Sequence, residues 1–289
     1  MPHRGVLTAS AELPPEGEGY RWLRQDDRHH GLPRFVQSIE RAAATVARER
    51  PGGMLAVGDL STRTGGQLLP HFSHRTGRDA DLLLYMTTLD GAPVESPGFI
   101  RVGPDGLAWD DKGKRFLRFD VERTWLLVKT LVEDPDARIQ WIFAHRNIEA
   151  ILVQWAQSRG EPGETIVRAM EVMRQPNPGG PHDDHLHIRT ACSPAELVAG
   201  CEHTGPTRAW IAELDRASRD DSSDWELLEA IFRPFGSTRS TTDLTASTTT
   251  GEGTPGSATP TSSTSAGTSR TSPSSSGADS TADANAATR

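Results

Sequence analysis

Half of the 10 histidines in this chain gather in two short stretches. The first runs His71-Phe72-Ser73-His74 and continues through Gly77 to Asp81; the second reads His182-Asp183-Asp184-His185-Leu186-His187. A neutral imidazole is the commonest ligand for transition metals in proteins. A catalytic zinc takes three protein ligands and leaves a fourth position for water. His185 and His187 stand two residues apart, so on a strand they point to the same face. His74 precedes a turn at Gly77, and Asp81 opens a Leu-rich run after it, so the turn can bring both to one ion. His74, Asp81 and His187 then make a two-histidine, one-carboxylate site with an open position, and His185 flanks it, free for proton transfer. The other candidates read as ordinary structure: Asp183 and Asp184 as turn and cap residues, His29 and His30 as surface, His145 as a capping or surface residue, and His203 as having no partner pattern. No G-x-S-x-G elbow, P-loop, G-x-G-x-x-G or H-E-x-x-H motif competes with this constellation.

The elements that must hold these groups follow from hydrophobic periodicity. Phe35, Ile39, Ala42, Ala43 and Val46 recur at helical spacing and predict a helix over 33–48. Residues 54–57 read as a short buried strand, 64–66 as a loop, and 81–86 as a buried strand. The breaker at Gly91-Ala92-Pro93 opens a long irregular connection to about Gly106. Helical patterns follow at 121–132, at 147–157 with Gly160 as its cap, and at 164–173; strands are expected at 139–143 and 186–188. A last short helix is expected at 225–232. Helices and strands alternate irregularly with long loops, so the expected class is α+β: a small central antiparallel sheet with helices packed around it and the metal site at the sheet.

Composition divides the chain. Of 289 residues, 35% are hydrophobic, low for a chain that is globular throughout. The composition breaks at Phe235: from Gly236 to Arg289 Ser and Thr dominate, and no Trp, Tyr, Phe or Ile occurs. Such a segment cannot bury enough apolar surface to offset about 1–2 kcal/mol of backbone entropy per ordered residue, so it reads as a disordered tail. The expected organisation is an irregular N-terminal arm (1–33), a folded domain (34–235) and the tail (236–289). No apolar stretch is long enough for a transmembrane helix. The excess of 39 acidic over 31 basic side chains argues against non-specific nucleic-acid binding. Residues 1–31 hold no apolar run that could serve as a signal-peptide core.

At Gly58-Asp59-Leu60, Gly65-Gly66, His71-x-x-His74-x-x-Gly77-x-x-x-Asp81 and His182-x-x-His185-x-His187 the sequence resembles the penicillin-insensitive murein endopeptidases, zinc peptidases that share a fold with lysostaphin, D-Ala-D-Ala peptidases and hedgehog. The resemblance runs from about Phe35 to Cys201. It implies that His74, Asp81 and His187 bind zinc, that His185 does acid/base work, and that His182 is a further active-site histidine able to stabilise the tetrahedral oxyanion. His71 matches a histidine that joins a second metal site in some members. The D-x-x-H arrangement which completes that site has no counterpart at Asp110-Asp111-Lys112-Gly113-Lys114, so one zinc is expected and His71 is assigned to substrate or to the site's water. Arg75 and Arg189 lie close to the motifs and are candidates to pair with peptide carboxylates.

The reaction implied is cleavage of the D-alanyl–meso-diaminopimelyl cross-link of peptidoglycan, which lies outside the cytoplasm. A periplasmic or secreted location then requires a start upstream or another export route. Two cysteines fit such a compartment: a Cys192–Cys201 disulfide would close a loop of about ten residues, contribute about 2–3 kcal/mol and brace the strand of His187. The alternatives are a D,D- or L,D-carboxypeptidase or dipeptidase of the same fold, and a zinc-containing wall-binding module without hydrolysis.

Overall fold

The computed structural model describes residues 4–177, 179–202, 205–206 and 208–213. The chain divides into two units, Met1–Arg233 and Pro234–Arg289. The second unit, with the Ser/Thr-rich tail, lies outside the described residues, as do His203 and the helix expected at 225–232. No helix among the described residues is long and apolar enough to cross a membrane.

The first 32 residues contribute four short strands: β1 (Ala11–Glu12), β2 (Glu16–Gly17), β3 (Tyr20–Trp22) and β4 (His30–Gly31). Helix α1 (Pro33–Glu49) follows, with the predicted apolar stripe buried and Pro33 in its first turn, where a missing N–H costs nothing. Next come β5 (Leu55–Val57), β6 (Asp79–Leu83), β7 (Met86–Thr87) and β8 (Pro93–Val94), then a hairpin of β9 (Leu107–Asp110) and β10 (Arg115–Phe119). Helix α2 (Val121–Glu133) leads to β11 (Ile139–Phe143), then to α3 (Arg146–Arg159) and α4 (Gly163–Val172). Strands β12 (Met173–Arg174) and β13 (His185–Thr190) and helix α5 (Pro194–Val198) complete the order. His145 caps α3 by accepting from Asn147 N, and Gly160 ends that helix at φ +71°, the left-handed conformation that favours glycine.

The class is α+β, but the sheet is neither small nor purely antiparallel. Seven strands run in the order β12-β11-β13-β6-β5-β3-β2, with a separate four-stranded sheet β8-β7-β10-β9. The pairs β11–β12 and β3–β5 are parallel. Parallel neighbours need a long crossover, and the helices provide it: α1 links β3 to β5, and α3 with α4 links β11 to β12. Part of the expected irregular connection is ordered too, through β8 and the Val102–Ala108 bridge that leads into the hairpin. The hairpin turns where Asp110 Oδ1 accepts from the backbone of Lys112 and Gly113. His29, expected at the surface, is 1% exposed and stacks on Trp22 with ring centroids 3.8 Å apart. The ring loses water but gains an aromatic face, and burial lowers its pKa against the pull of Asp26.

The Cys192–Cys201 disulfide is present, with a Cα–Cα distance of 6.2 Å. It spans α5, whose first turn is closed by a capping box between Ser193 and Glu196. Arg34 at the start of α1 reaches across to both carboxylate oxygens of Glu196 at 2.8 Å and to the Ala191 carbonyl. The side chain of Arg78, 1% exposed, donates to the carbonyl of Thr190, the last residue of β13.

Candidate metal centre

Strand register decides which side chains meet. In the antiparallel pair β6–β13, His187 lies opposite Asp81, Arg189 opposite Asp79 and His185 opposite Leu83. Directly opposed residues in such a pair point to the same face, so Asp79, Asp81, His185, His187 and Arg189 share one surface. On the other side of β13, Phe143 is the partner of His187 and Trp141 the partner of Arg189. His74 comes from the loop before β6 and adopts φ +60°, uncommon for a non-glycine residue. Three residues on, Gly77 takes φ +67°, and a Cβ there would meet Leu7 and Gly31 at 2.9–3.0 Å, so the turn that delivers His74 requires glycine.

Three ring nitrogens converge on one oxygen. His187 Nδ1 lies 3.2 Å from Asp81 Oδ1, and His74 Nε2 and His185 Nε2 each lie 3.4 Å from it. Ligands on a tetrahedral ion at bonds of about 2.0–2.1 Å sit about 3.3–3.4 Å apart. His74 and Asp81 are almost fully buried, and neither His74 Nε2 nor Asp81 Oδ1 has a hydrogen-bond partner among the described residues. Buried polar atoms left without partners are costly, and a metal ion would satisfy both. The outer nitrogens are already engaged: His74 Nδ1 is 2.6 Å from the Leu60 carbonyl, and His187 Nε2 is 2.9 Å from Asp79 Oδ1. Each acceptor takes the N–H and turns the opposite lone pair toward Asp81, as metal-binding histidines require. The ligand atoms of His71, His74 and Asp81 lie within 4.8 Å of one another, as do those of His182, His185 and His187.

The electrostatics agree. Burial works against the Asp81 carboxylate, but His74, His185 and His187 hold it well below the usual range. Asp79 is likewise kept ionised despite burial, by Arg189 and then His187. His185 Nδ1 is 2.6 Å from Asp184 Oδ1. Burial disfavours the charged imidazole, yet Asp184 and Asp81 outweigh it and raise His185 to about 9 among the protein's own groups.

The remaining predicted residues are placed as follows. His182 takes φ +50°, its Nδ1 lies 2.7 Å from the Gly180 carbonyl, and its ring is 4.9 Å from that of His185. Burial lowers its pKa, favouring the neutral ring. His71 Nε2 is 2.8 Å from Asp59 and 3.9 Å from Asp81; Arg24 and Arg28 both engage that Asp59. Arg189 donates to Asp79 at 2.6 Å and is turned into the cluster. Arg75 is not brought against the histidines by any contact among the described residues, and its Nε is shielded from water without an acceptor. Sequence reasoning missed Asp79 and gave Asp184 only a turn role. The signal was present in both cases: Asp79 is two residues from Asp81 and so faces the same way, and Asp184 adjoins His185.

The model of the family described as penicillin-insensitive murein endopeptidase matches residues 1–209. The chain is 30% identical over 219 residues to the penicillin-insensitive murein endopeptidase of Haemophilus influenzae, covering 71% of this chain and 66% of that protein. It is 28% identical over 211 residues to the namesake in Klebsiella pneumoniae, covering 70% and 68%, and 28% identical over 202 residues to that of Escherichia coli, covering 68% and 66%. The chain therefore spans about two thirds of the length of these relatives. On the family match across residues 1–209, the chain belongs to the penicillin-insensitive murein endopeptidases.

Proposed function

We propose that this protein is a zinc-dependent endopeptidase, acting outside the cytoplasm, that hydrolyses the D-alanyl–meso-diaminopimelyl cross-links of peptidoglycan. The observation that carries the reading is the convergence of His74 Nε2 and His187 Nδ1 on Asp81 Oδ1, two of these atoms being buried and otherwise unpartnered. Two imidazoles and a carboxylate form a donor set suited to one zinc ion, which supplies Lewis-acid chemistry: it acidifies a water toward pH 7 and polarises the scissile carbonyl. Asp79 and the Leu60 carbonyl hold the two imidazoles in the ligating tautomer.

His185 works beside this set. Its Nδ1–H is fixed by Asp184, so Nε2 is the atom that accepts the proton of the attacking water and returns it to the leaving amine. His182, close to His185, spends its Nδ1–H on the Gly180 carbonyl, so its Nε2 stabilises the developing oxyanion once that nitrogen takes up a proton. His71, held by Asp59, orients substrate or water at the rim.

The test is digestion of purified peptidoglycan before and after chelation, with zinc counted by elemental analysis in the native protein and in His187→Ala. Cross-linked dimers should disappear only with metal present, and His187→Ala should lose most of its zinc. Dimers that persist while monomer peptides shorten would mark a carboxypeptidase instead, and zinc at full occupancy in His187→Ala would overturn the ligand set.

A further inference from the structure

The face that carries the metal centre continues beyond it. The row of Asp81 and His187 extends to Phe143 on β11 and then to Arg174, the β12 partner of Phe143. The adjoining row sets Trp141 beside Arg189. The surface thus runs from the histidines over two aromatic rings to a group of guanidiniums. The Arg189 guanidinium carbon lies 5.2 Å from the Phe143 ring centroid, and those of Arg174 and Arg208 lie 5.6 and 4.7 Å from that of Trp141. With neighbouring strands about 4.8 Å apart, the backbone of Arg174 is about 10 Å from that of His187.

The three arginines differ in how their charge is met. Arg189 is matched by the buried carboxylate of Asp79. Arg174 is exposed and has no carboxylate partner among the described residues. Arg208 is half-buried, and its Nε and Nη2 are shielded from water with no acceptor among the described residues. Glu171, the acid whose charge reaches Arg208, accepts from Trp210 Nε1 at 2.9 Å. Guanidinium donors removed from water without an acceptor are costly, and two cations over one indole repel each other. A carboxylate relieves both: it is planar, anionic and able to take two parallel N–H bonds from a guanidinium.

We propose that Arg174 and Arg208, stacked on Trp141, form a carboxylate-binding subsite that anchors an acidic stem peptide on the same face as the metal centre, two strands from His187. The proposal rests on the peptidoglycan reading above and names the part of the substrate held there. An extended peptide rises about 3.3 Å per residue, so a strand spacing of this order is covered by about three residues of substrate. The subsite would select substrates by free carboxylate, independently of the metal chemistry.

The test uses the zinc-loaded full chain and a purified cross-linked dimer of stem peptides, with its carboxylates either free or converted to amides. For the free acid, Arg174→Gln/Arg208→Gln should raise KM about tenfold while leaving kcat and zinc content alone. The amidated dimer should show the raised KM already with the native protein and no further rise in the variant. An unchanged KM for the free acid, or an equal rise for the amide, would overturn the subsite. Arg174→Gln alone, at an exposed position, should keep the native melting temperature and give part of the rise, so a double variant that fails to fold leaves the question answerable. If the native protein cleaves neither dimer, the endopeptidase reading fails, and equilibrium binding of the same two peptides decides the subsite separately. Preference for the free acid, lost in Arg174→Gln, would support it; equal binding of acid and amide would refute it.

Discussion

At the scale of residues, the proposed mechanism uses the pair Asp184–His185 to separate a histidine that would move protons from one that would hold metal. Both kinds surround Asp81, but His187 leans on a fully buried carboxylate and His185 on a half-buried one at the edge of β13. Replacing Asp184 with Asn removes the charge that steadies the imidazolium, so His185 becomes a weaker base. Asp184→Asn should lower kcat by about tenfold to a hundredfold while zinc content stays full, and the acidic limb of the pH–rate profile, set by deprotonation of His185, should move to lower pH. An unchanged profile would remove Asp184 from the proton path. The histidines themselves were legible because their spacing is rare and strand geometry interprets it. Asp79 and Asp184 were not, because their value lies in what they hold: an aspartate beside a histidine is commonplace until the fold shows which nitrogen it faces.

At the scale of elements, β13 must hold its register for His187 to stay opposite Asp81, and its C-terminal end is pinned by the α5 loop. The disulfide closes that loop, and the Arg34–Glu196 pair ties it to α1. Burial alone would raise the Glu196 pKa, but Arg34 and the Ser193 cap bring it below the usual glutamate value. The sign follows: a folded pKa below the unfolded one gives stability that is present above about pH 4.3 and is lost as pH falls through the folded value. Glu196→Gln should therefore lower the melting temperature by a few degrees at pH 7, and the gap to the native protein should narrow toward pH 3. Melts by circular dichroism across this range check it; a gap independent of pH would mean that the carboxylate charge contributes nothing. The helices on either side were legible because their apolar stripes are long. The β9–β10 hairpin was not: its outward positions hold Trp109 and Phe116, both exposed, so the alternation of apolar and polar residues that marks a half-buried strand is blurred.

At the scale of the whole molecule, the low hydrophobic fraction reads as a folded body diluted by a Ser/Thr-rich segment that lies outside the described residues, while the N-terminal stretch was under-read. Residues 1–33 look like an irregular arm because their apolar residues are isolated and Pro and Gly interrupt them. In the fold, isolated residues suffice: Leu7, Leu13, Tyr20 and Leu32 are all buried in the main core, and β3 lies in the seven-stranded sheet as the parallel neighbour of β5. The same stretch supplies Arg24 and Arg28 to Asp59, which in turn holds His71. Burying side chains of this size contributes about 1.5–3 kcal/mol each, so losing four of them removes an amount comparable to the entire stability of a typical domain, about 5–15 kcal/mol. Deleting residues 1–32 should therefore leave a chain without a cooperative melt, and with it the zinc and the activity should go. An accessory arm makes the opposite forecast, a truncated protein that melts within a few degrees of the full chain and still carries one zinc. Thermal melts and metal analysis of the two chains, prepared side by side, decide between an arm laid on the domain and a segment that the sheet cannot do without.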